Sequence, residues 1–409
     1  MSFALRVTLI LILIILCDFY FYKKFVNSFL NVFPRISKKK FKRIFFWSYI
    51  YLNLYAIILL IGRIFSIFSR NIFLNQPEGN WFDILILFPF WISVIITGQS
   101  VLFFLILDFL KLIIFPFVKS RKEKLQSILY KINFGIIIFF IIYAPANIIY
   151  NYLSVEVREI EYAKKDLPKE LDNFKITFIS DLHADKYTNA WRLENYIEKI
   201  NATNPDLVLV AGDIISSGTD YIKVGAKYLG KIKTKYGVFS CVGDHDNWAY
   251  RPDYLRSRHE VINELKSNDV IMIDNGNKKI KVGESIIGIT FITETYSARI
   301  GNGELNNLVD QKKNDLNIFL VHQPRENLIE LAQLKNYDLF LAGHTHGGQI
   351  TFLFPFIDLS VSLFETSSVR GDFYFDNMLM IVTRGLGMSI APLRYNSAPE
   401  VVVIKLKRK

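Results

Sequence analysis

Residues 176–183 read ITFISDLH, a strand-like apolar run that ends in the motif Asp181-Leu182-His183. Three more apolar runs end in motifs of the same kind: 207–211 before Gly212-Asp213, 238–242 before Gly243-Asp244-His245-Asp246, and 338–342 before Gly343-His344-Thr345-His346. Helix-like segments alternate with these runs, which is typical of parallel strands joined by helices. Because the carboxyl ends of parallel strands lie at one edge of a sheet, we expect these motifs to meet there.

The histidines follow this pattern closely, since five of the six belong to it. Four lie in the motifs above, and His322 follows another strand-like run, 318–321. Only His259 lies elsewhere, in a helix-like stretch that favours an exposed position. Mixed imidazole and carboxylate ligands suit first-row transition metals, whereas calcium prefers oxygen alone. The sequence therefore predicts a hydrolytic site that holds such metals.

Each motif also has an ordinary structural explanation when it is taken alone. Asp181 could cap a helix, Asp213 could serve in a turn, and His322 could be a loop or core histidine. The occurrence of all five motifs in order favours the metal site. Four other side chains could line a substrate cleft or could equally serve in turns, packing or the surface: Asp185, Asn247, Trp248 and Arg394.

The ordered series D-x-H, G-D, G-D-H-D, H and G-H-x-H resembles the series D-x-H, G-D, G-N-H-[DE], H and G-H-x-H of the calcineurin-like metallophosphoesterases, over nearly the whole of residues 174–405. The stretches SDLHAD, VLVAGD, AGHTHGGQI and TRGLGMS are similar to the membrane-linked bacterial subgroup related to the YkuE and YaeI proteins. The resemblance implies an enzyme that hydrolyses phosphoric esters and an α/β fold, a four-layer α/β/β/α sandwich. It also implies two divalent metal ions, manganese, iron or zinc, of which manganese is favoured.

The same resemblance implies a role for each motif residue. The first metal would be held by Asp181, His183 and His346, and Asp213 would bridge both metals. The second metal would be completed by Asp244, His322 and His344. His245 would be the catalytic acid, because imidazole donates a proton readily near neutral pH. Asp246 could orient the His245 ring.

Residue 244 departs from the family pattern, which usually has asparagine where this chain has Asp244. An aspartate remains a good oxygen ligand, so the site should still bind metal. Its extra negative charge would oppose an anionic phosphate and weaken the metals as Lewis acids. We therefore expect Asp244→Asn to keep or raise activity. The alternative is a non-catalytic membrane receptor in which the metal site is retained as structure.

The amino-terminal part has the composition of a membrane domain. Residues 1–150 hold 17 of the 49 Lys and Arg residues but only five of the 38 Asp and Glu residues. These basic residues lie between long apolar runs, so they fit membrane flanks, and no nucleic-acid partner is expected. Three uncharged segments are long enough to span a bilayer: Ile44–Gly62, Ile84–Leu107 and Ile132–Val155. Residues 5–22 are predicted as a fourth span, with a cleaved signal or an interfacial helix as the alternatives.

The distribution of basic residues also predicts the orientation of the chain. They concentrate in residues 23–43 and 111–131, whereas Ser69–Trp81 and Glu156–Glu161 hold one arginine each. Because positively charged loops stay in the cytoplasm, residues 156–409 are predicted to lie on the outer side of the membrane. The predicted division is a membrane domain at 1–155 with three or four helices, a linker at 156–173 and a metallophosphoesterase domain at 174–409.

Together these features predict a multi-pass cell-membrane protein that is a metal-dependent phosphoesterase. It would hydrolyse a phosphoester or phosphodiester through a hydroxide that bridges two metals. A catalytic domain that follows a membrane span favours a lipid or lipid-linked envelope substrate, with membrane lipids as partners. A cytoplasmic-facing nucleotide phosphodiesterase is the alternative enzyme, and it requires the reverse topology.

Overall fold

The structure is a computed structural model that describes residues 3–68, 80–310 and 314–409 of the 409-residue chain. The chain forms two compact units. The first comprises Met1–Ile149 and Phe352–Leu359, and the second comprises Tyr150–Thr351 and Ser360–Lys409. Most of the predicted outer loop Ser69–Trp81 lies outside the described residues.

The first unit is largely helical. Its helices are α1 (Phe3–Val32), α2 (Lys38–Leu52), α3 (Leu54–Phe68), α4 (Asn80–Phe82), α5 (Phe88–Ile114) and most of α6 (Lys122–Leu153). A π-helical turn joins α4 to α5, so Asn80–Ile114 is one continuous helix. This helix and α6 are long and apolar enough to cross a membrane. The first contains the predicted span Ile84–Leu107, and α6 covers the predicted span Ile132–Val155 as far as Leu153.

Two further predicted spans fall in the remaining helices. Helices α2 and α3 are bent by 49° at Asn53, and together they are apolar enough to form a third span. This bent pair contains the predicted span Ile44–Gly62. Residues 5–22 lie within α1, and their crossing of the membrane stays a prediction.

A hairpin from the carboxyl-terminal half of the chain belongs to the first unit. It consists of β10 (Phe352–Phe354) and β11 (Ile357–Leu359). The buried Gln99 of α5 donates a hydrogen bond to the carbonyl oxygen of Leu353 at 2.6 Å and accepts one from its N–H at 2.8 Å. The Gln99 amide thus provides hydrogen-bond partners for both the N–H and the C=O of Leu353. Such partners are needed because backbone polar groups among apolar helices have few others.

The second unit contains two six-stranded sheets. In spatial order, the first sheet is β1 (Glu156–Lys164), β14 (Glu400–Arg408), β2 (Lys175–Ile179), β3 (Leu207–Val210), β4 (Val238–Cys241) and β5 (Val270–Ile273). The second is β12 (Gly371–Phe375), β13 (Met378–Val382), β9 (Leu339–Ala342), β8 (Leu316–Val321), β7 (Ser285–Ile292) and β6 (Gly276–Val282). Strands β2 to β5 are parallel, and so are β7, β8, β9 and β13. The site motifs follow strands from both parallel sets.

Apolar side chains on both faces of each sheet build the layers of this unit. On β3, Leu207 and Leu209 join the cluster between the two sheets, while Val208 and Val210 join the cluster beneath helices, because side chains alternate along a strand. The first sheet is covered by α7 (Ala190–Ala202), α8 (Asp220–Leu229) and α9 (Tyr254–Lys266). The second is covered by α10 (Asn302–Val309) and α11 (Glu326–Leu334). The predicted α/β/β/α sandwich is confirmed.

The predicted linker at 156–173 is instead part of this fold. Strand β1 pairs in parallel with β14 along its full length, from Glu156 to Lys164. Leu167 and Leu171 are fully buried in the cluster between the sheets. Strand β1 is an edge strand and carries several charged residues, which are common on such strands because they discourage pairing with other chains.

Candidate metal centre

The structure brings all seven predicted ligands together at the carboxyl ends of the strands. They follow five strands: Asp181 and His183 after β2, Asp213 after β3, Asp244 after β4, His322 after β8, and His344 and His346 after β9. Six of them are buried, and His344 is partly exposed. These side chains form two neighbouring groups, which we call the first and second nests.

The first nest consists of Asp181, His183 and His346, with Asp213 at its border. His183 Nε2 lies 3.1 Å from His346 Nε2 and 3.3 Å from Asp213 Oδ2. His346 Nε2 lies 3.5 Å from Asp181 Oδ1. One potential ligand atom from each of Asp181, His183 and His346 falls within 4.8 Å of the others.

The second nest consists of Asp244, His322 and His344, again with Asp213 at its border. His322 Nε2 lies 3.3 Å from both Asp213 Oδ2 and Asp244 Oδ2. His344 Nδ1 lies 3.0 Å from Asp244 Oδ2. Since Asp213 Oδ2 is 3.3 Å from a histidine of each nest, it is placed to serve both. Imidazole nitrogens and carboxylate oxygens at this spacing fit divalent first-row ions.

The backbone at the ligands is unusual. Five of the predicted ligands have positive φ angles: Asp181 at 53°, His183 at 46°, Asp213 at 56°, His344 at 70° and His346 at 51°. Residues other than glycine adopt this region rarely, and such conformations concentrate at functional sites. The fold therefore holds these five residues in strained turns.

Two glycines allow the turns of the centre to pack closely. A Cβ atom on Gly212 would lie 2.4 Å from the backbone nitrogen of Gly243. A Cβ atom on Gly243 would lie 2.2 Å from the backbone nitrogen of Asp213. Any side chain at either position would separate Asp213 from Asp244, which explains the glycine in both motifs.

The protonation of the histidines differs between the nests. Burial and the charge of Arg394 lower the pKa of His346 to about 3, so its imidazole is neutral, as a metal ligand must be. Burial also disfavours charge on His344, but its hydrogen bonds to Asp244 and Glu365 raise its pKa to about 9. A metal in the second nest must therefore displace a proton that now neutralises these carboxylates.

His245 lies beside the nests with one ring nitrogen already engaged. Its Nδ1 lies 2.5 Å from the carbonyl oxygen of Ser216, which requires the proton on Nδ1. The ring contacts Trp248 at 4.0 Å between centroids and is partly exposed. Nε2 is left facing Ser389 Oγ at 3.4 Å. His245 can also be grouped with His183 and Asp213 as a potential ligand, so its role as the acid stays a prediction.

The prediction that Asp246 orients the His245 ring is wrong. The Asp246 carboxylate accepts hydrogen bonds from the backbone N–H groups of Asp213, Ile214 and Gly243 at 2.8–3.0 Å. It thus ties the turn after β3 to the turn after β4. The carbonyl oxygen of Ser216 orients the His245 ring instead, a contact that no sequence motif indicates.

Three of the four possible cleft residues have structural roles. Asp185 accepts hydrogen bonds from the N–H groups of Tyr187 and Thr188, both at 2.7 Å, and Asn247 donates one to Gly243 O at 2.9 Å. Arg394 is buried, donates to the carbonyl oxygens of Gly387 and Ser397, and approaches His346 Nδ1 at 3.2 Å. Trp248 packs against His245.

Four residues that the sequence did not single out surround the second nest: Tyr296, Gln323, Arg325 and Glu365. Glu365 Oε2 lies 3.1 Å from His344 Nε2, and Gln323 donates to Asp244 Oδ2 at 2.6 Å. Burial alone would raise the pKa of Glu365, but its hydrogen bond with His344 lowers it to about 2. Gln323 directly follows a motif histidine, whereas Glu365 lies in a loop without any recognisable pattern.

Two sheets that carry histidine and carboxylate nests at their strand ends define a metal-dependent hydrolase class, and comparisons with known proteins agree. The family model for calcineurin-like phosphoesterases matches residues 174–348. The chain is 30% identical to the uncharacterized metallophosphoesterase YkuE of Bacillus subtilis, over 62% of this chain and 86% of that protein. The chain belongs to the calcineurin-like metallophosphoesterases, whose members are phosphoric ester hydrolases.

Two other relatives share the membrane region or carry membrane segments of their own. The uncharacterized metallophosphoesterase Cj0846 of Campylobacter jejuni is 29% identical over the full length of both chains. A transmembrane protein with a metallophosphoesterase domain from Danio rerio is 27% identical over 62% of this chain and 57% of its own length. Together with two helices apolar enough to cross a membrane, these relatives indicate a membrane protein.

Proposed function

We propose that this protein is a membrane-anchored phosphoesterase that uses two divalent ions, with manganese favoured, to hydrolyse a lipid or lipid-linked phosphoester. The observation that carries the proposal is the position of Asp213 Oδ2, at 3.3 Å from a histidine of each nest. A shared carboxylate at the border of two complete donor sets is what a paired metal centre needs.

The residues of the two nests would bind different ions of such a centre. Asp181, His183 and His346 would hold one ion, Asp244, His322 and His344 the other, and Asp213 both. When bound, the ions would supply charge neutralisation for the phosphate and acidify the attacking water. The buried carboxylates and hydrogen bonds of the chain keep the donor atoms fixed, so little reorganisation is needed during the reaction.

We propose that His245 protonates the leaving oxygen. Its Nδ1–H donates to Ser216 O at 2.5 Å, which fixes the ring and directs Nε2 toward Ser389 beside the first nest. A proton on Nε2 would pass to the leaving oxygen and neutralise the alkoxide as the P–O bond breaks. The contact with Trp248 at 4.0 Å limits tilting of the ring.

Exposed apolar side chains beside the site support a lipid substrate. Phe364 is 91% exposed and precedes Glu365, which contacts His344. Ile390 is 92% exposed and follows Ser389, which contacts His245. Large apolar side chains this exposed, next to residues that contact a polar site, favour a substrate with a hydrocarbon chain.

We expect the full-length protein in detergent to hydrolyse phospholipids in mixed micelles and a soluble aryl phosphodiester, and to lose both activities on chelation. Phe364→Ser and Ile390→Ser should lower the specificity constant for the lipid about tenfold, because each removes most of an apolar contact. Neither should change hydrolysis of the soluble diester.

Leu334→Ser is the matched control, since Leu334 is also exposed but lies at the end of α11. A native chain that hydrolyses no phosphoester after manganese reconstitution would contradict the proposed function. Equal losses with both substrates in the Phe364 and Ile390 variants would contradict the lipid substrate alone.

The catalytic unit is proposed to face the outer side of the membrane, as the basic segments 23–43 and 111–131 indicate. We expect Ser217→Cys, at an exposed position, to react with a membrane-impermeant thiol reagent in intact cells. Ser120→Cys, exposed within the second basic segment, should react only after the cells are broken. The unmodified chain is the blank, because Cys241 is fully buried and Cys17 lies within α1. The reverse labelling pattern would favour the cytoplasmic nucleotide phosphodiesterase.

A further inference from the structure

The surroundings of Asp244 differ from what an asparagine at this position would need. The side chain is almost fully buried, at 1% exposure, and both of its oxygens accept hydrogen bonds. Oδ1 accepts from the backbone N–H of Tyr296 at 2.6 Å, and Oδ2 accepts from Gln323 Nε2 at 2.6 Å. An amide has only one oxygen, so it cannot accept at both places.

Neither of these two donors can act as a hydrogen-bond acceptor instead. The Tyr296 donor is a peptide N–H, which has no acceptor capacity. The Gln323 amide is fixed by Arg325, whose Nε donates to Gln323 Oε1 at 2.7 Å. Since a guanidinium only donates, turning the Gln323 amide would place its NH₂ group against another donor.

The same residues form a closed circuit around the second nest. Arg325 Nη2 lies 3.2 Å from Glu365 Oε1, and Glu365 Oε2 lies 3.1 Å from His344 Nε2. His344 Nδ1 then lies 3.0 Å from Asp244 Oδ2. The Arg325 charge offsets one of the two carboxylates, and the Glu365 contact with Nε2 directs His344 Nδ1 toward the nest.

We propose that Gln323, Arg325, Glu365 and the Tyr296 peptide N–H form a donor and charge circuit that positions Asp244 specifically as a carboxylate ligand. The proposal rests on the proposed metal-dependent function and deepens it. The hydrogen-bond donors around residue 244 therefore fit an aspartate and do not fit an asparagine. The proposal reverses the expectation that Asp244→Asn keeps or raises activity, because the new NH₂ group would face either Tyr296 N–H or Gln323 NH₂.

Mn²⁺ titration of the metal-free full-length protein in detergent tests the circuit without any use of hydrolysis. We expect Asp244→Asn and Gln323→Leu each to weaken the weaker of two binding steps about 10- to 100-fold, as is usual when the outer partners of a ligand are removed. Gln333→Leu, on helix α11 and outside the circuit, should change neither step.

A double-mutant cycle gives a readout that a merely structural role of Gln323 would not move. In the metal-free chain with Asp244, Gln323→Glu should lower the unfolding temperature, because two carboxylates would meet. In the Asp244→Asn chain the same Gln323→Glu change should raise it, because the new amide can donate to the glutamate and Arg325 still donates to it.

The reversed sign would support the circuit, and equal effects of Gln323→Glu in both chains would overturn it. Native Mn²⁺ affinity and native unfolding temperature in Asp244→Asn would also overturn it. Neither measurement depends on turnover, so a chain that hydrolyses nothing contradicts the proposed function and leaves the circuit standing.

Discussion

Asp213→Ala is expected to remove one or both metal ions and to abolish hydrolysis. The Asp213 side chain is the only one in the described nests that lies within 3.3 Å of a histidine in each of them. Its other oxygen accepts the backbone N–H of His245 at 2.7 Å, so the substitution also frees the turn that carries the proposed acid. A metal pair stabilises the transition state by several kcal/mol. Loss of this stabilisation lowers the rate about a thousandfold or more.

Elemental analysis of the purified full-length chain, after reconstitution with excess manganese and removal of free ions, checks this expectation. The native chain should hold two ions and Asp213→Ala one or none. Asp220→Ala is the matched control, because Asp220 is exposed in the first turn of α8 and contributes only a small helix-terminus effect. Retention of two ions by Asp213→Ala would show that the carboxylate does not bridge them.

The residues of the two nests could be found from sequence because each one directly follows a strand that has a clear apolar pattern. Parallel strands make the convergence of Asp181, Asp213 and Asp244 a consequence of topology. The same argument extends to His322 and His344, since β8 and β9 are also parallel neighbours. The strand periodicity of the sequence therefore predicts where the residues of the two nests lie in the structure.

The residues that support the ligands could not be found in this way. Glu365 comes from a loop between β11 and β12, and the position of such a loop depends on contacts that are distant in sequence. Asp246 was misinterpreted because it neighbours His245 in sequence, whereas its carboxylate accepts backbone N–H groups from the turn after β3. Strand β1 was missed because an edge strand buries few side chains and reads as a charged linker.

The choice between an enzyme and a silenced receptor depends on Asp244 and His245 together. If Asp244 had replaced an asparagine in a site that had lost its activity, we would not expect a hydrogen-bond donor at each of its carboxylate oxygens. Two donors do point at these two oxygens. A receptor also has no need for a histidine whose Nδ1 is fixed and whose Nε2 faces the site. The arrangement of both residues favours the enzyme.

His245→Ala is expected to lower turnover about 10²- to 10⁴-fold while both metal ions remain bound, because general acid catalysis contributes a factor of this size. The seven predicted ligands are untouched by the substitution. The loss should be largest for alkyl esters, whose leaving oxygen needs a proton, and smallest for nitrophenyl esters, whose leaving group departs as a stable anion.

His259→Ala is the matched control, because His259 is exposed on α9 and lies outside the site motifs. Turnover with both ester classes and metal content from elemental analysis are measured for each variant. Loss of one ion in His245→Ala would instead identify His245 as a ligand of the first nest, and an equal loss for both ester classes would remove its role as the acid.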